Sequence, residues 1–165
     1  MKRISITVLS IFMLSVLVAC TMPNNEIDYD QHENYINVEG TKIKMITENT
    51  EVLITLNSSH AASSLLSMLP LEMTLIERNK FAKGMTLPKQ LSSNEETTRE
   101  YKIGDFGYWR FVPDLAIFYD DIYEKTIVDI VPLGHAGEGA ENLKYESGTV
   151  RLELMNDEGE MTENE

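Results

Sequence analysis

The chain has 165 residues, a single cysteine and a formal net charge of −13 at pH 7. So acidic a chain is repelled by nucleic acid, which argues against DNA or RNA binding. A single cysteine allows no internal disulfide, so the stability of the fold must come from a buried apolar core. The length is that of one ordinary domain, large enough to form such a core.

The first 20 residues have the layout of a secretory signal peptide, with two basic residues followed by an apolar stretch, 4–18. The end of this stretch, Leu17-Val18-Ala19-Cys20, resembles the lipobox of bacterial lipoproteins. That resemblance implies cleavage before Cys20 and lipidation of its thiol. One alternative is a membrane-spanning helix, but such a helix needs roughly 20 apolar residues. The other is an ordinary secretory signal, which would leave a lone reactive thiol on an exported protein.

The lipoprotein resemblance implies a protein anchored to a membrane of the bacterial envelope and facing outside the cytoplasm. Several acyl chains, as the resemblance implies, anchor stably, whereas one chain holds only marginally. Loss of residues 1–19 would remove two of the 14 basic residues and none of the 27 acidic ones, which leaves a net charge of −15. Residues 20–38 are polar and acidic and predict a disordered tether, and residues 156–165 predict an acidic disordered tail.

Residues 39–155 predict one domain that begins with a β-hairpin and a helix. Polar and apolar residues alternate over 42–47 and again over 51–56, which is typical of two paired strands. Residues 60–69 place their apolar side chains on one helical face, after capping residues and before a proline that ends the helix. A strand is predicted at 72–77, and the polar stretch 79–99 is predicted to be loop.

The second half of the domain predicts four further strands, at 106–112, 115–119, 126–134 and 149–154, with a short helix or turn at 137–143. The stretch 115–119 is continuously apolar, so this strand should be buried on both faces, with its small Ala116 in a tight barrel interior. Many short strands and one or two short helices favour a mainly β fold, a small closed β-barrel.

Five segments carry a family resemblance through their order and spacing: Ala61–Leu71, Gly104–Trp109, Asp114–Tyr119, Leu133–His135 and Val150–Leu154. Together they resemble the bacterial cyclophilin-like domain family, over about residues 41–155. The resemblance implies a cyclophilin-type β-barrel, in a family of largely unassigned function.

The same resemblance bears on catalysis, because active cyclophilins rotate X-Pro peptide bonds with the help of a Phe-His-Arg motif. That motif is absent here, so we expect a protein that binds a peptide, small ligand or envelope protein rather than an enzyme. The alternatives are a divergent prolyl isomerase acting on exported proteins and a structural envelope module without a ligand. No phosphate loop or zinc pattern is present, so no cofactor and no metal are expected.

The candidate ligand-binding residues lie around the aromatic strand and a later loop. Arg110 beside aromatic rings would suit a peptide or carboxylate, through bidentate hydrogen bonds and stacking. In the alternative interpretation, Arg110 points outward from its strand and Trp109 packs in the core or at its rim. His135 and Glu138 would supply acid–base chemistry at a barrel mouth, or serve as ordinary loop residues. The full candidate set is Tyr108, Trp109, Arg110, Phe118, His135 and Glu138.

Overall fold

The computed structural model describes residues 35–92 and 94–155. The predicted signal peptide, Cys20, most of the tether and the acidic tail lie outside these residues. The described strands are β1 (Lys42–Ile46), β2 (Glu51–Leu56), β3 (Leu71–Arg78), β4 (Ala82–Thr86), β5 (Asp105–Trp109), β6 (Asp114–Phe118), β7 (Val131–Ala136) and β8 (Gly148–Leu154). The helical elements are α1 (His60–Leu66) and a 3₁₀ helix (Ala140–Tyr145).

The eight strands form one closed barrel in the order β1-β2-β7-β5-β6-β4-β3-β8, and β8 returns to pair with β1. Every neighbouring pair is antiparallel. Closure leaves no long strand edge open to other chains. The predicted mainly β, closed barrel with one or two short helices is therefore confirmed.

The barrel interior is filled by the inward-facing half of each alternating strand. In β2, for example, Val52, Ile54 and Leu56 are buried while the residues between them are exposed. Helix α1 packs Ala61 and Leu65 into the same core. This helix starts where the sequence predicts, because the Ser59 hydroxyl accepts a hydrogen bond of 3.1 Å from the backbone N–H of Ala62.

Strand β6 is buried on both faces, as its apolar run predicts, but the two faces belong to different clusters. Leu115 and Ile117 face the barrel interior and join the main core. Ala116 and Phe118 face outward, into a second cluster. The expectation that Ala116 lies in the barrel interior is therefore wrong.

Several predicted boundaries also differ from the structure. The predicted helix 60–69 ends at Leu66, before it reaches Pro70. The stretch 79–99 is not all loop, because it contains β4, whose Ala-Lys-Gly sequence lacks the β-branched residues that mark strands. The predicted strand 126–134 begins only at Val131, since the residues before it lie across the outside of the barrel. The predicted strand 106–112 ends at Trp109, and the chain then turns toward β6.

A network of hydrogen bonds connects several strands inside one end of the barrel. Buried Lys83 donates from Nζ to Glu77 Oε2 and to the backbone carbonyl of Glu146, both at 2.8 Å. The Tyr119 hydroxyl donates to the other carboxylate oxygen of Glu77, also at 2.8 Å. The network thus joins β3, β4 and β6 to the chain that follows the 3₁₀ helix.

The same hydrogen bonds change the acidity of the groups that they join. Burial alone would raise the pKa of the Glu77 carboxyl, but hydrogen bonds from Lys83 and Tyr119 outweigh it and lower this pKa below its ordinary value of 4.5. Burial, together with the hydrogen bond to Glu77, raises the pKa of the Tyr119 hydroxyl. Glu77 is therefore held ionised while Tyr119 keeps its proton.

Candidate functional site: an apolar groove on the outer face of the barrel

A row of small residues, two glycines and one alanine, crosses three strands on the outer face of the barrel. Gly84 on β4 and Gly107 on β5 both lie opposite Ala116 on β6. A Cβ atom at Gly84 would lie only 2.6 Å from Nε of Arg78, and one at Gly107 would lie 3.2 Å from the carbonyl oxygen of Val131. Because these positions lack side chains, groups from other elements can lie directly on the sheet.

An aromatic cluster covers part of this outer face. The rings of Phe81, Tyr101 and Phe118 lie within 5.5 Å of one another, centroid to centroid. The ring of Tyr123 meets Phe81 edge-on at 5.2 Å. Phe81 and Phe118, with Ala82, Ala116 and Ile130, form a second apolar core outside the barrel, against which Tyr101 packs. This core supports the chain segments that pass over β4 and β6.

Next to the aromatic cluster lies a groove with a volume of about 340 Å³, between the β5–β6 turn and the segment 126–129. This volume is at the small end of the range of ligand pockets. Its lining is mainly apolar: Phe81, Trp109, Phe111, Val112, Ile127 and Val128, with the polar residues Arg78, Asn79, Asp114, Thr126 and Asp129. Phe111 and Ile127 are 77% and 80% exposed, so the two walls of the groove present large apolar side chains to solvent.

One wall of the groove, the segment 126–129, is held in place by the chain before β5. Ile130 and Thr98 exchange two backbone hydrogen bonds of 2.9 Å. The backbone N–H of Thr126 donates to the carbonyl of Arg99, and Nε of Arg99 donates back to the Thr126 carbonyl. These bonds fix both ends of the wall, while the apolar side chains between them face the groove.

The base of the groove is an ion pair. Asp114 is 1% exposed and accepts hydrogen bonds from both Nε and Nη2 of Arg78 and from the Thr86 hydroxyl, the latter at 2.7 Å. The Arg78 side chain is 30% exposed and lies over Gly84. The carboxylate thus neutralises and orients a guanidinium at the edge of an apolar surface.

Trp109 forms part of the groove lining and is partly buried against the second apolar core. Its indole Nε1 is buried and makes no hydrogen bond with the residues that the structure describes. A buried donor without an acceptor costs about 1–3 kcal/mol, and it leaves the indole without a polar contact that would fix its orientation.

The other predicted aromatic and arginine residues lie below or beside the groove. Tyr108 is fully buried inside the barrel, where its hydroxyl accepts from the backbone N–H of Leu91 at 3.3 Å. Phe118 lies in the second apolar core and forms part of the support of the groove. Arg110 belongs to the β5–β6 turn rather than to a strand, with its guanidinium 5.3 Å from the centre of the Phe111 ring.

His135 and Glu138 lie apart from the groove. The Nδ1 atom of His135 is 2.8 Å from Oδ1 of Asp105, and the other carboxylate oxygen of Asp105 accepts from the backbone N–H of Lys102. Asp105 borders a separate polar depression of about 410 Å³. Glu138 is exposed in the bend before the 3₁₀ helix. Of the candidate residues, the structure therefore places Trp109 alone in the lining of the groove. Arg110 lies next to Phe111, and Phe118 lies in the supporting core. His135 and Glu138 lie elsewhere.

Most residues of the groove are not predictable from the sequence. The walls come from apolar residues in turns, where the local pattern predicts exposure but cannot show that two turns face each other. The ion pair joins Arg78 and Asp114 across 36 positions of sequence. A usable signal was the acidic residue directly before the apolar run 115–119, since a charge at the start of a fully buried strand needs a partner.

The fold and the groove together define a small antiparallel β-barrel domain with a ligand-sized apolar depression on its outer face. The model of the Cyclophilin-like family matches residues 45–155, and the chain belongs to this family. The resemblance of residues 41–155 to the cyclophilin-like family is therefore confirmed.

Two solved structures share this fold. The hypothetical protein AF2241 from Archaeoglobus fulgidus is 16% identical, with 73% of this chain and 98% of that chain covered and a TM-score of 0.61. A structure of McbB in complex with tryptophan is 13% identical, with a TM-score of 0.52, and covers 74% of this chain but only 46% of its own. No curated protein matches the chain. Over the residues that the structure describes, no helix has the length and apolar character needed to cross a membrane.

Proposed function

We propose that this protein is a lipid-anchored binding protein of the cell envelope that holds an extended peptide by an apolar side chain in the outer groove. The observation that carries the proposal is the groove itself, whose walls expose Phe111 and Ile127 almost fully. Large apolar side chains facing one another in solvent are costly unless a ligand covers them. The anchor at Cys20 supports the envelope location and would place the groove where exported chains pass.

A peptide fits this groove better than a purely apolar ligand, because the site combines apolar walls with polar groups. An apolar side chain of the peptide would lie between Phe111 and Ile127. A backbone carbonyl of the peptide would accept from Trp109 Nε1 once the indole turns toward the groove, since this buried N–H has no acceptor among the described residues. An aromatic side chain is the first to test, since the McbB structure that shares this fold was determined with tryptophan.

The chain carries its own reporter for this binding. Trp109 is the single tryptophan and lines the groove, so its fluorescence reports on that surface alone. We expect a shift and an intensity change when the purified full chain is titrated with short capped peptides that contain phenylalanine.

The Phe111→Ala variant should bind such a peptide about tenfold more weakly, because a truncated anchor at the centre of a binding site commonly costs more than 1 kcal/mol. Tyr145→Ala is the matched control, since Tyr145 is 84% exposed and lies outside the groove. Its affinity should equal that of wild type. Equal affinities for all three proteins would place the binding elsewhere and overturn the proposed site.

The anchor is tested separately in the producing cell. Wild type should fractionate with membranes and incorporate labelled palmitate, and Cys20→Ser should do neither. A Cys20→Ser protein that stays in the membrane fraction would contradict lipid anchoring.

A prolyl isomerase is the second candidate, because Arg78 places a partly exposed guanidinium at the base of an apolar groove. An arginine that donates to a prolyl amide weakens its resonance and so lowers the barrier of about 18–20 kcal/mol to rotation. Faster cis–trans exchange of a Phe-Pro peptide by wild type, but not by Arg78→Lys, would favour catalysis over binding alone.

A further inference from the structure

The positive and negative charges of the residues that line the groove do not cancel. Arg78 and Asp114 neutralise each other at its base. Asp129 is the remaining charged residue of the lining, and it is exposed at the rim. Among the residues that the structure describes, Asp129 takes part in no ion pair. The groove is therefore an apolar surface with one unneutralised carboxylate at its edge.

The position of Asp129 relates this charge to the apolar walls. It directly follows Ile127 and Val128, which form one wall. Successive side chains of an extended peptide point to opposite sides, so the next side chain on the same side as one held between Phe111 and Ile127 belongs to the residue two positions along, about 6.6 Å away. The charge and the apolar walls can therefore act on two residues of one peptide that are two positions apart.

The rest of the molecule adds to the effect at longer range. The chain has a net charge of −13, and such a field raises the local concentration of cationic ligands and repels anionic ones. Arg110 lies near the opposite wall, with its guanidinium 5.3 Å from the Phe111 ring.

We propose that the groove selects peptides in which a basic residue stands two positions from the apolar residue that the groove holds, and that Asp129 pairs with the positive charge. This inference rests on the proposed peptide-binding function and specifies its ligand class. The occupant is a peptide segment in which one residue separates an apolar from a basic residue, as in exported chains rich in lysine or arginine.

The expected preference is modest and sensitive to salt. An ion pair at an exposed rim changes affinity by about two- to fivefold. The preference should shrink as ionic strength rises, because the Debye length falls from about 10 Å at 0.1 M to about 3 Å at 1 M. A preference that survives at 1 M salt would contradict an exposed ion pair.

The experiment uses the fluorescence of Trp109 and three capped peptides that differ at one position. Each peptide contains phenylalanine, then alanine, and then lysine, glutamine or glutamate. Wild type should bind the lysine peptide about two- to fivefold more tightly than the glutamine peptide, and the glutamate peptide most weakly. Asp129→Asn should bind the lysine and glutamine peptides equally.

Glu138→Gln is the matched control, because it removes one exposed negative charge outside the groove. It should keep the preference of wild type. An equal loss of preference in both variants would show a general charge effect and overturn the role of Asp129. Equal binding of all three peptides by wild type would overturn the selectivity while leaving the peptide-binding function intact. If no peptide binds wild type, the proposed function fails and the inference fails with it.

Discussion

Replacing Asp114 by alanine should lower the free energy of unfolding by about 3 kcal/mol. Asp114 is 1% exposed and accepts from Arg78 and Thr86, so its loss leaves a guanidinium without its counter-charge at the base of the groove. Removal of one partner of a buried pair commonly costs about 3–5 kcal/mol, and the lower end applies here because the Arg78 side chain is 30% exposed. Urea denaturation of wild type and variant, followed by circular dichroism, measures the difference.

A double replacement distinguishes the lost pair from lost packing. In Arg78→Met with Asp114→Leu, no charge remains unpaired, and apolar groups of similar size can pack over Gly84. Such replacements are often close to neutral, so the double variant should regain most of the stability that Asp114→Ala loses. A double variant as unstable as the single one would show that the ion pair itself is not the cause. The groove should lose its polar base in either case.

Gly134→Ala should be the most damaging methyl group that can be added to the barrel. A Cβ atom there would lie 2.3 Å from the carbonyl oxygen of Thr55 and 3.1 Å from Cα of Leu56. Both are backbone atoms of β2, which pairs with β7 at this point, so neither can move aside unless the two strands separate. We expect a loss of at least about 3 kcal/mol, at the upper end of the cost of overpacking.

Gly137→Ala is the matched control, three residues along the chain. Nothing lies within 4 Å of a Cβ atom at Gly137, and its backbone is outside the left-handed region. Alanine there should be neutral or stabilise by about 0.4–1 kcal/mol, because it restricts the unfolded chain. Thermal unfolding of the two variants gives the comparison, and equal midpoints would contradict the predicted close approach of β2 and β7.

The sequence predicts those parts of the fold in which the pattern of apolar residues along one element already shows which side chains are buried. The alternation of Val52, Ile54 and Leu56 shows β2 and its inner face without further information, and Ser59 shows the start of α1. Strand β4 is not predictable in this way because it places a lysine inside the barrel. That burial is possible because Lys83 has acceptors on Glu77, across the β3–β4 turn, and on Glu146, 63 positions along the chain.

Of the residues that line the groove, the sequence predicts only one as a candidate site residue. Trp109 is visible as the single tryptophan of an aromatic strand. The exposure of Phe111 and Ile127 depends on where two turns end, and nothing in either turn indicates the other. The partner of Asp114 likewise follows from the register of β3, β4 and β6, which no local pattern encodes.

Glu77 and Arg78 are consecutive in β3, and their side chains bind partners on opposite faces of the barrel wall. Glu77 holds Lys83 and Tyr119 on the inside, while Arg78 holds Asp114 on the outside. The base of the groove is thus preorganised before any ligand arrives, so little conformational entropy is lost there on binding. Differences in affinity among ligands should then arise in the two walls of the groove, the β5–β6 turn and the segment 126–129. Those walls are therefore the part to redesign for a new specificity.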